Sequence, residues 1–169
     1  MRSKNILALI SVIILFALTA LLTIATYNRV HNKNSHPKIA DVLGLSLTGL
    51  DNLPFTLPND KKNILLILFE PSCEDCHRQA VEINKNLEFL KDCEIIWISH
   101  APLAKMKEFY ETHSLKRNNT STMARITGNV YETFGTFLTP SLFIYSSEGQ
   151  LVKAFKGETK IDAILKYIQ

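Results

Sequence analysis

The sequence predicts an α/β fold in which strands and helices alternate, preceded by one long apolar helix. Residues 6–27 carry no charged side chain. Two short apolar runs, 63–69 and 94–99, are each followed by a segment with helical periodicity, and two more apolar runs, 141–146 and 151–157, lie close together near the carboxyl terminus. Strand and helix patterns that alternate in this way are typical of an α/β domain.

Length and composition fit one domain with an appendage. The chain has 169 residues, of which 46% are hydrophobic, so a packed core can form even after a membrane segment is set aside. Lys and Arg number 19 against 16 Asp and Glu, which gives a net charge of +3 without a dense basic block. We therefore expect no nucleic acid partner.

The first segment is predicted to be a transmembrane helix. As a helix, the uncharged run from Ile6 to Tyr27 would extend over roughly 33 Å, enough to cross a bilayer. Arg2 and Lys4 precede the run and favour a cytoplasmic amino terminus. The alternatives are a cleaved signal peptide, with a weak cleavage site near 23–25, and a helix buried in a protein core. The expected organisation is an uncleaved membrane anchor at 1–27, a polar tether at 28–38 and one folded domain at 39–169.

The periodicity of the remaining chain predicts the elements of the domain in order. The run 63–69 is rich in Ile and Leu and ends shortly before Pro71, as a buried central strand does. From Cys73 onward an apolar residue recurs every three or four positions up to Leu90, which predicts an amphipathic helix. The further elements are expected to be a strand at 94–99, a helix at 102–113, a short helix at 129–135, a hairpin of 141–146 and 151–157, and a helix at 161–168.

Cys73 and Cys76 form a C-x-x-C motif where the first predicted strand gives way to the first amphipathic helix. At that place the sulfur of Cys73 would lie near the free amides and the positive end of the helix dipole, which stabilise a thiolate. Cys76 follows one turn later on the apolar face. These positions predict unequal roles, in which Cys73 is accessible and attacks a disulfide while Cys76 is shielded and resolves the mixed disulfide.

His77 follows the motif directly, so the sequence also matches the C-x-x-C-H pattern of covalent haem attachment. Such a site needs a helical pocket around the porphyrin and an axial ligand, for which the candidates are Met106, Met123, His100 and His113. A strand directly before the motif and two strands near the carboxyl end disfavour that pocket. We therefore expect no cofactor, and we interpret His77 as a surface histidine or as a residue that tunes the cysteine pair.

Two stretches of the sequence resemble the thioredoxin superfamily. They are "LLILFEPSCEDCHRQAVEI" at 65–83 and "TPSLFIYSSEGQLVKAFKG" at 139–157, and the similarity extends from about residue 45 to the end. The chain is most similar to the extracytoplasmic, anchored branch of TlpA and ResA-like thiol-disulfide oxidoreductases. The resemblance implies a central mixed sheet flanked by helices. It also implies a cis peptide before Pro140, with the backbone of Thr139 presented to the substrate opposite Cys73.

The resemblance further implies a location and a set of partners. Combined with the apolar helix, it places the protein in the bacterial inner (cytoplasmic) membrane as a single-pass protein whose catalytic domain is extracytoplasmic or periplasmic. Its partners would be protein thiols and disulfides together with an upstream thiol electron donor.

Four further residues are candidates for tuning the cysteine pair. The buried acid that thioredoxin carries in the strand before the motif has no match at Ile67, and Glu70 is the nearest acid. Glu74 and Asp75 lie between the cysteines, where they are interpreted either as solvated charges that suit the first turn of the helix or as anions that oppose a thiolate at Cys73. A couple of this kind is less oxidising than one with a strongly stabilised thiolate, so we expect a reductant of protein disulfides. His77 is the fourth candidate.

Two alternative functions remain open. A thioredoxin-like copper-binding or metallochaperone module would hold a soft metal ion between Cys73, Cys76 and a histidine, although we expect no metal in the site. An adhesion or structural domain with the same fold is the other alternative.

Cys93 lies at the start of the second predicted strand. It is interpreted as a buried, inert thiol, with a redox partner or an intermolecular link as the other options.

Overall fold

The computed structural model describes residues 2–33, 39, 42, 45–57, 62–115, 121–128, 133–135 and 138–168, and within the first helix it describes the side chains of 12–27. The chain forms two compact units, Met1–Ser35 and His36–Gln169.

The first unit is an α-helix, α1, which runs from Arg2 to Lys33. Its large apolar side chains between 12 and 27 are exposed. Thr19, Thr23 and Thr26 donate their hydroxyl hydrogens to backbone carbonyls three or four residues earlier, so these polar groups are satisfied within the helix. In the part of the chain that the structure describes, no helix is both long and apolar enough to cross a membrane.

The helix extends beyond the predicted boundary at Tyr27. The sequence predicts a polar tether over 28–38, and residues 28–33 of that range are the last residues of α1. Nucleation is the unfavourable step of helix formation, so an existing helix can extend into adjoining polar residues. The rest of the predicted tether, 34–38, lies outside the described residues.

The second unit is built, in its described residues, on a six-stranded mixed sheet. In chain order its elements are β1 (Ser46–Gly49), β2 (Asn63–Leu68), α2 (Glu74–Lys85), a 3-10 turn (Leu87–Leu90), β3 (Cys93–Ser99), α3 (Leu103–Thr112), β4 (Ser121–Thr127), β5 (Ser141–Tyr145), β6 (Leu151–Lys156) and α4 (Ile161–Leu165). The strands lie in the order β1-β4-β3-β2-β5-β6. β2, β3 and β4 are parallel, whereas β1, β5 and β6 pair antiparallel with their neighbours. The prediction of an α/β domain with a mixed sheet is therefore confirmed.

The two faces of the sheet carry separate apolar clusters. In β2, Leu65 and Ile67 belong to the helix-side cluster, which includes side chains of α2, α3 and α4. Leu66 and Leu68 belong to the cluster on the other face of the sheet. Because both faces of the strand are covered, its sequence is continuously apolar and does not alternate. The central position predicted for this strand is correct.

The pairing of β2 brings the two parts of the predicted site together. β2 ends at Leu68 and α2 begins at Glu74, so the connecting turn lies at the carboxyl end of the parallel strands. Ser141, the first residue of β5, is the register partner of Leu68. The segment 138–140, which precedes β5, therefore lies beside the turn that carries Cys73.

The sequence analysis predicts neither β1 nor β4. β4 is rich in hydroxyl residues and contains Arg125, so its composition resembles a loop. It nevertheless pairs in parallel with the fully buried β3, and this tertiary pairing outweighs local preference. β1 is a four-residue edge strand paired with β4, too short to show a period.

The boundaries of three predicted helices also differ from the structure. The first amphipathic helix ends at Lys85, and the predicted apolar face continues in the 3-10 turn. The last helix ends at Leu165 and not at residue 168. The predicted short helix at 129–135 lies mostly outside the described residues. Within it, residues 133 and 134 are helical and Gly135 has a φ of 69°.

Candidate active site

The C-x-x-C motif occupies the amino-terminal end of α2. Cys73 is the N-cap residue and has an extended backbone, with φ −85° and ψ 121°. Its amide donates to the carbonyl of Glu70 at 2.9 Å and so closes the turn of residues 70–73. Its carbonyl accepts hydrogen bonds from the amides of Cys76 at 3.1 Å and His77 at 3.2 Å. The side chain of Cys73 is therefore attached at the N-terminal end of the helix, as the sequence predicts.

The two cysteines differ in exposure. Both are free thiols, but Cys73 is half-buried whereas Cys76 is fully buried in the helix-side cluster with Ala80 and Ile83. A disulfide of another protein can approach the sulfur of Cys73 from solvent. The same substrate has no direct access to Cys76.

Hydrogen bonds stabilise the thiolate form of Cys73. Burial alone would raise its pKa, but the Cys76 thiol, the Thr139 side chain and the backbone amides of Cys76 and Asp75 outweigh that effect. Together they lower the pKa of Cys73 from its ordinary value of 9.0. The consequence is a larger fraction of nucleophilic thiolate at neutral pH than an ordinary cysteine has.

Cys76 has the opposite environment. Burial and the adjacent sulfur of Cys73 together raise its pKa to about 12, although the backbone amide of Glu70 and the side chain of Thr139 partly oppose them. The thiol of Cys76 therefore stays protonated at neutral pH, and it donates a hydrogen bond to the sulfur of Cys73. The pair consists of one activated and one protonated sulfur.

Thr139 and Pro140 lie directly opposite Cys73. The Thr139-Pro140 peptide bond is cis, which confirms the configuration that the resemblance implies. In the thiol form, Cys73 Sγ donates to the carbonyl oxygen of Thr139 at 3.3 Å. Pro140 is buried and Thr139 half-buried, so the backbone of Thr139 lies at the edge of the site.

The acidic residues between the cysteines differ in their surroundings. Glu74 is exposed in the first turn of α2. Asp75 forms an ion pair with Arg78, and Arg78 Nε also donates to Glu158 Oε2 at 2.7 Å. Arg78 thus places a positive charge beside Asp75 and offsets part of the negative charge that the sequence places next to Cys73.

Glu70 contributes through its backbone and through a neighbouring cavity. Its amide faces the Cys76 sulfur, and its carbonyl closes the turn. Its side chain lines a cavity of about 440 Å³ beside the motif, which Pro71, Ser72, His77 and Phe109 also line. Ile67, where thioredoxin carries a buried acid, lies in the apolar helix-side cluster.

His77 is not a free surface histidine. Its Nε2 lies 2.8 Å from the carbonyl oxygen of Pro71, and its Nδ1 lies 2.7 Å from Nε2 of His113. The ring also packs on Phe109, at 4.9 Å between centroids. A second histidine, 36 residues later in the chain, therefore belongs to the site.

The sequence analysis did not assign three of these residues to the cysteine site. His113 appears there only as a possible haem ligand, and nothing in the sequence shows that α3 carries it to α2. Arg78 could have been found, because it lies three residues after Asp75 on one helical face. Gln79 is fully buried, and its amide exchanges two hydrogen bonds with the backbone of Thr159, at 3.0 and 2.7 Å. These bonds fasten α2 to the segment after β6.

Cys93 lies away from the motif, at the start of β3, and is fully buried. Burial raises its pKa to about 12. Such a thiol is protonated and shielded, which agrees with the interpretation of an inert core residue.

Metal binding depends on how many ligating side chains lie together in the described part of the chain. No group of three or more His, Cys, Asp or Glu side chains is arranged there to hold a metal ion. Both ring nitrogens of His77 make hydrogen bonds, so His77 would have to give up one of them to bind copper together with the cysteines.

Comparison with known proteins gives a family and a group of similar folds. The model of the thioredoxin-like domain family matches residues 56–169. No curated protein sequence matches the chain. Among solved structures, the chain is similar to a secreted Mycobacterium tuberculosis disulfide oxidoreductase homologous to Escherichia coli DsbE, at 16% identity over 76% of this chain and 96% of that chain, with a TM-score of 0.62.

Two other solved structures show the range of proteins with this fold. The exposed lipoprotein thioredoxin of Streptococcus pneumoniae is 21% identical over 73% of this chain and 96% of its own, with a TM-score of 0.58. Peroxiredoxin Q of Xanthomonas campestris is 16% identical over 80% of this chain and 96% of its own, with a TM-score of 0.61. At these identities the similarity establishes the fold. It agrees with the predicted thioredoxin superfamily.

Proposed function

Because the chain belongs to the thioredoxin-like domain family, we propose that it is an extracytoplasmic thiol-disulfide oxidoreductase that reduces disulfides of other proteins. The observation that carries the proposal is the inequality of the two sulfurs. Cys73 is accessible and has a lowered pKa, whereas Cys76 is buried with a pKa of about 12. Nucleophilic attack followed by intramolecular resolution requires this division of roles.

The reaction proceeds in two exchanges. The thiolate of Cys73 attacks one sulfur of the substrate disulfide, an S–S bond forms between Cys73 and the substrate, and the other substrate sulfur leaves as a thiolate that takes a proton. Cys76 then loses its proton and attacks the Cys73 sulfur. The substrate leaves with both of its sulfurs reduced, and Cys73 and Cys76 are joined in a disulfide. Two electrons pass from the protein to the substrate, and an upstream dithiol must return them.

The second exchange requires a lower pKa at Cys76 than the dithiol state has. Burial is the largest cause of the raised pKa of Cys76, and hydrogen bonding and charge repulsion from Cys73 are two further effects that raise it. In the mixed disulfide, Cys73 carries neither a proton nor a negative charge, so both effects disappear. The free amide of Glu70 remains and stabilises the Cys76 thiolate. Formation of the first intermediate therefore favours the step that resolves it.

The charge around Cys73 supports the proposed direction of electron flow. Glu74 and Asp75 lie between the cysteines, and Arg78 compensates Asp75. The exposed Glu74 adds negative charge to the helix entrance, where it opposes the thiolate. This negative charge limits the stabilisation that the hydrogen bonds give the Cys73 thiolate. A less stabilised thiolate makes the disulfide harder to reduce, which supports the role of a reductant.

We place the protein at the bacterial inner membrane, held by α1 with the second unit on the extracytoplasmic side. The uncharged run 6–27, preceded by Arg2 and Lys4, supports this location. Intact mass of protein extracted from native membranes should include the run, and the protein should resist extraction by carbonate. A soluble mature chain that begins near Thr26 would contradict the anchor.

Insulin reduction by dithiothreitol, with the full chain in detergent, tests the activity. The wild-type protein should accelerate precipitation of the insulin B chain, and Cys73→Ser should remove the acceleration. Cys93→Ala is the matched control and should retain it, because Cys93 lies outside the site. If the wild-type protein gave no acceleration while the reduced protein bound one copper ion tightly through Cys73 and Cys76, the copper-binding alternative would replace the proposal.

A further inference from the structure

His77 and His113 are joined by a hydrogen bond whose direction can be assigned. A carbonyl oxygen only accepts, so Nε2 of His77, at 2.8 Å from the Pro71 oxygen, must carry a hydrogen. In a neutral imidazole the other nitrogen is then an acceptor. His113 Nε2, at 2.7 Å, therefore donates to His77 Nδ1 when both rings are neutral.

This arrangement can take up one proton without rearrangement. An added proton on Nδ1 of His113 leaves the bridging hydrogen in place, and that hydrogen can then lie on either ring, so the positive charge is shared. A second proton would direct N–H groups of both rings towards each other at 2.7 Å and break the contact. The geometry thus provides one proton site for two histidines. Burial and the neighbouring His77 lower the pKa of His113, which agrees with this limit.

The pair lies between the catalytic turn and the end of α3. Its bond to Pro71 fixes the middle of the turn of residues 70–73, whose last residue is Cys73. His113 is the C-cap residue of α3, where the negative end of the helix dipole favours a positive charge. Phe109 packs on both rings, at 4.9 and 4.6 Å between centroids.

Each element around the pair carries charged groups. On α3, Lys105 and Glu108 line the same cavity and form an ion pair with each other at 2.9 Å. From the turn, Glu70 lines the cavity. On α2, Asp75 and Arg78 form an ion pair. Most of these charges are compensated, so a proton on the pair changes the local charge at the motif substantially.

We propose that His77 and His113 form a one-proton positioning pair that couples acidity of the surroundings to the reactivity of Cys73. This proposal rests on the proposed function in one respect, namely that Cys73 is the attacking sulfur. When the pair is protonated, His77 donates to Pro71 as a charged donor, and hydrogen bonds from charged donors are stronger. The positive charge also lies in the first turn of α2, where it stabilises the thiolate of Cys73.

The sign of the effect follows directly. The pair is charged below its own pKa, so the thiolate fraction of Cys73 falls less steeply with decreasing pH than a single titrating thiol would give. Above that pKa the charge is lost and Cys73 titrates alone. An extracytoplasmic protein experiences variable pH, and the pair would preserve thiol exchange under acidic conditions.

The test is the pH profile of Cys73 alkylation by iodoacetamide in the reduced full chain in detergent, with the modified peptide quantified by mass spectrometry. The wild-type profile should show a second, lower inflection in the histidine range. Below it the rate should exceed the single-thiol curve roughly twofold, because a roughly threefold larger thiolate fraction is partly offset by the lower nucleophilicity of a less basic thiolate. His77→Gln retains a donor for Pro71 but cannot be protonated, so it should lose the lower inflection and keep the upper one.

Two further variants make the test decisive. His100→Gln removes an exposed histidine and should keep both inflections. His113→Gln should move the lower inflection to lower pH, because an amide oxygen is a weaker acceptor for the shared proton than an imidazole nitrogen. This variant carries the test if His77→Gln does not fold. An inflection that is unchanged in His113→Gln would overturn the pair, and identical profiles for wild type and His77→Gln would overturn the coupling.

Proton counting provides an independent readout. Nitrogen-15 spectra of the histidine rings should show Nε2–H on neutral His77 and the uptake of one proton by the two rings together as the pH falls through the lower inflection. Two separate single-proton titrations would overturn the proposal. Insulin reduction by the wild-type protein tests the proposed function separately. If it failed while the two-step profile persisted, the enzymatic role would fall and the pair would remain.

Discussion

Alkylation of the reduced protein should reveal the inequality of the cysteines as a large difference in rate. The perturbation is the addition of limiting iodoacetamide to the full chain in detergent at neutral pH, with all three cysteines in the reduced state. Thiolates react and thiols do not, so each rate depends on the pKa of the cysteine, on the nucleophilicity of its thiolate and on access.

The magnitude follows from the two pKa values. Cys73 lies below 9.0 and Cys76 at about 12, so the thiolate fraction of Cys73 is more than about a thousandfold larger. A more basic thiolate is a better nucleophile. With a Brønsted coefficient of about 0.4–0.5, the Cys76 thiolate is roughly 16- to 32-fold more reactive than the Cys73 thiolate, which reduces the difference in rate by that factor. We therefore expect Cys73 to react at least about 30-fold faster, before the burial of Cys76 slows it further.

The assay is quenching at successive times, digestion and mass spectrometry of the two modified peptides, with Cys93 as an internal reference for a buried thiol. Cys73 should be modified first, and Cys93 should stay unmodified until the protein unfolds. Equal rates for Cys73 and Cys76, or faster modification of Cys76, would refute the assignment of the attacking sulfur.

Two further predictions concern residues that support α2. Gln79→Leu should leave the buried amide and carbonyl of Thr159 without partners and lower the free energy of unfolding by roughly 2–5 kcal/mol in a denaturant titration, whereas the exposed Gln150→Leu should change it by less than about 0.5 kcal/mol. Arg78→Gln should leave the charge of Asp75 uncompensated, raise the pKa of Cys73 and slow its alkylation severalfold at low salt. High salt should reduce that difference, and a rate equal to that of wild type at low salt would show that Arg78 has no electrostatic role.

The parts of the site that lie close together in the chain could be predicted from the sequence. Cys73 and Cys76 are fixed by the change of period at the end of the apolar run, which places one sulfur at a helix entrance and the other on a buried face. Thr139 and Pro140 required the family resemblance, because register pairing between β2 and β5 is what brings them to Cys73.

The parts that depend on packing between distant elements could not be predicted. His77 and His113 meet only because α2 and α3 cover the same face of the sheet, and a sequence contains no measure of that contact. β4 was missed for a related reason, since its parallel pairing with β3 and not its composition makes it a strand. Residues 28–33 of the predicted tether are helical because helix propagation, a cooperative property, extends α1 to Lys33.

The most direct test of the central claim compares substrate trapping by two variants of the full chain in native membranes. With Cys76→Ser, Cys73 can still attack a substrate disulfide but nothing releases it, so mixed disulfides with partner proteins should accumulate and dissociate on reduction. With Cys73→Ser, the buried sulfur of Cys76 cannot reach a partner, and no such complexes should form. Equal trapping by both variants, or no trapping by Cys76→Ser, would contradict the account.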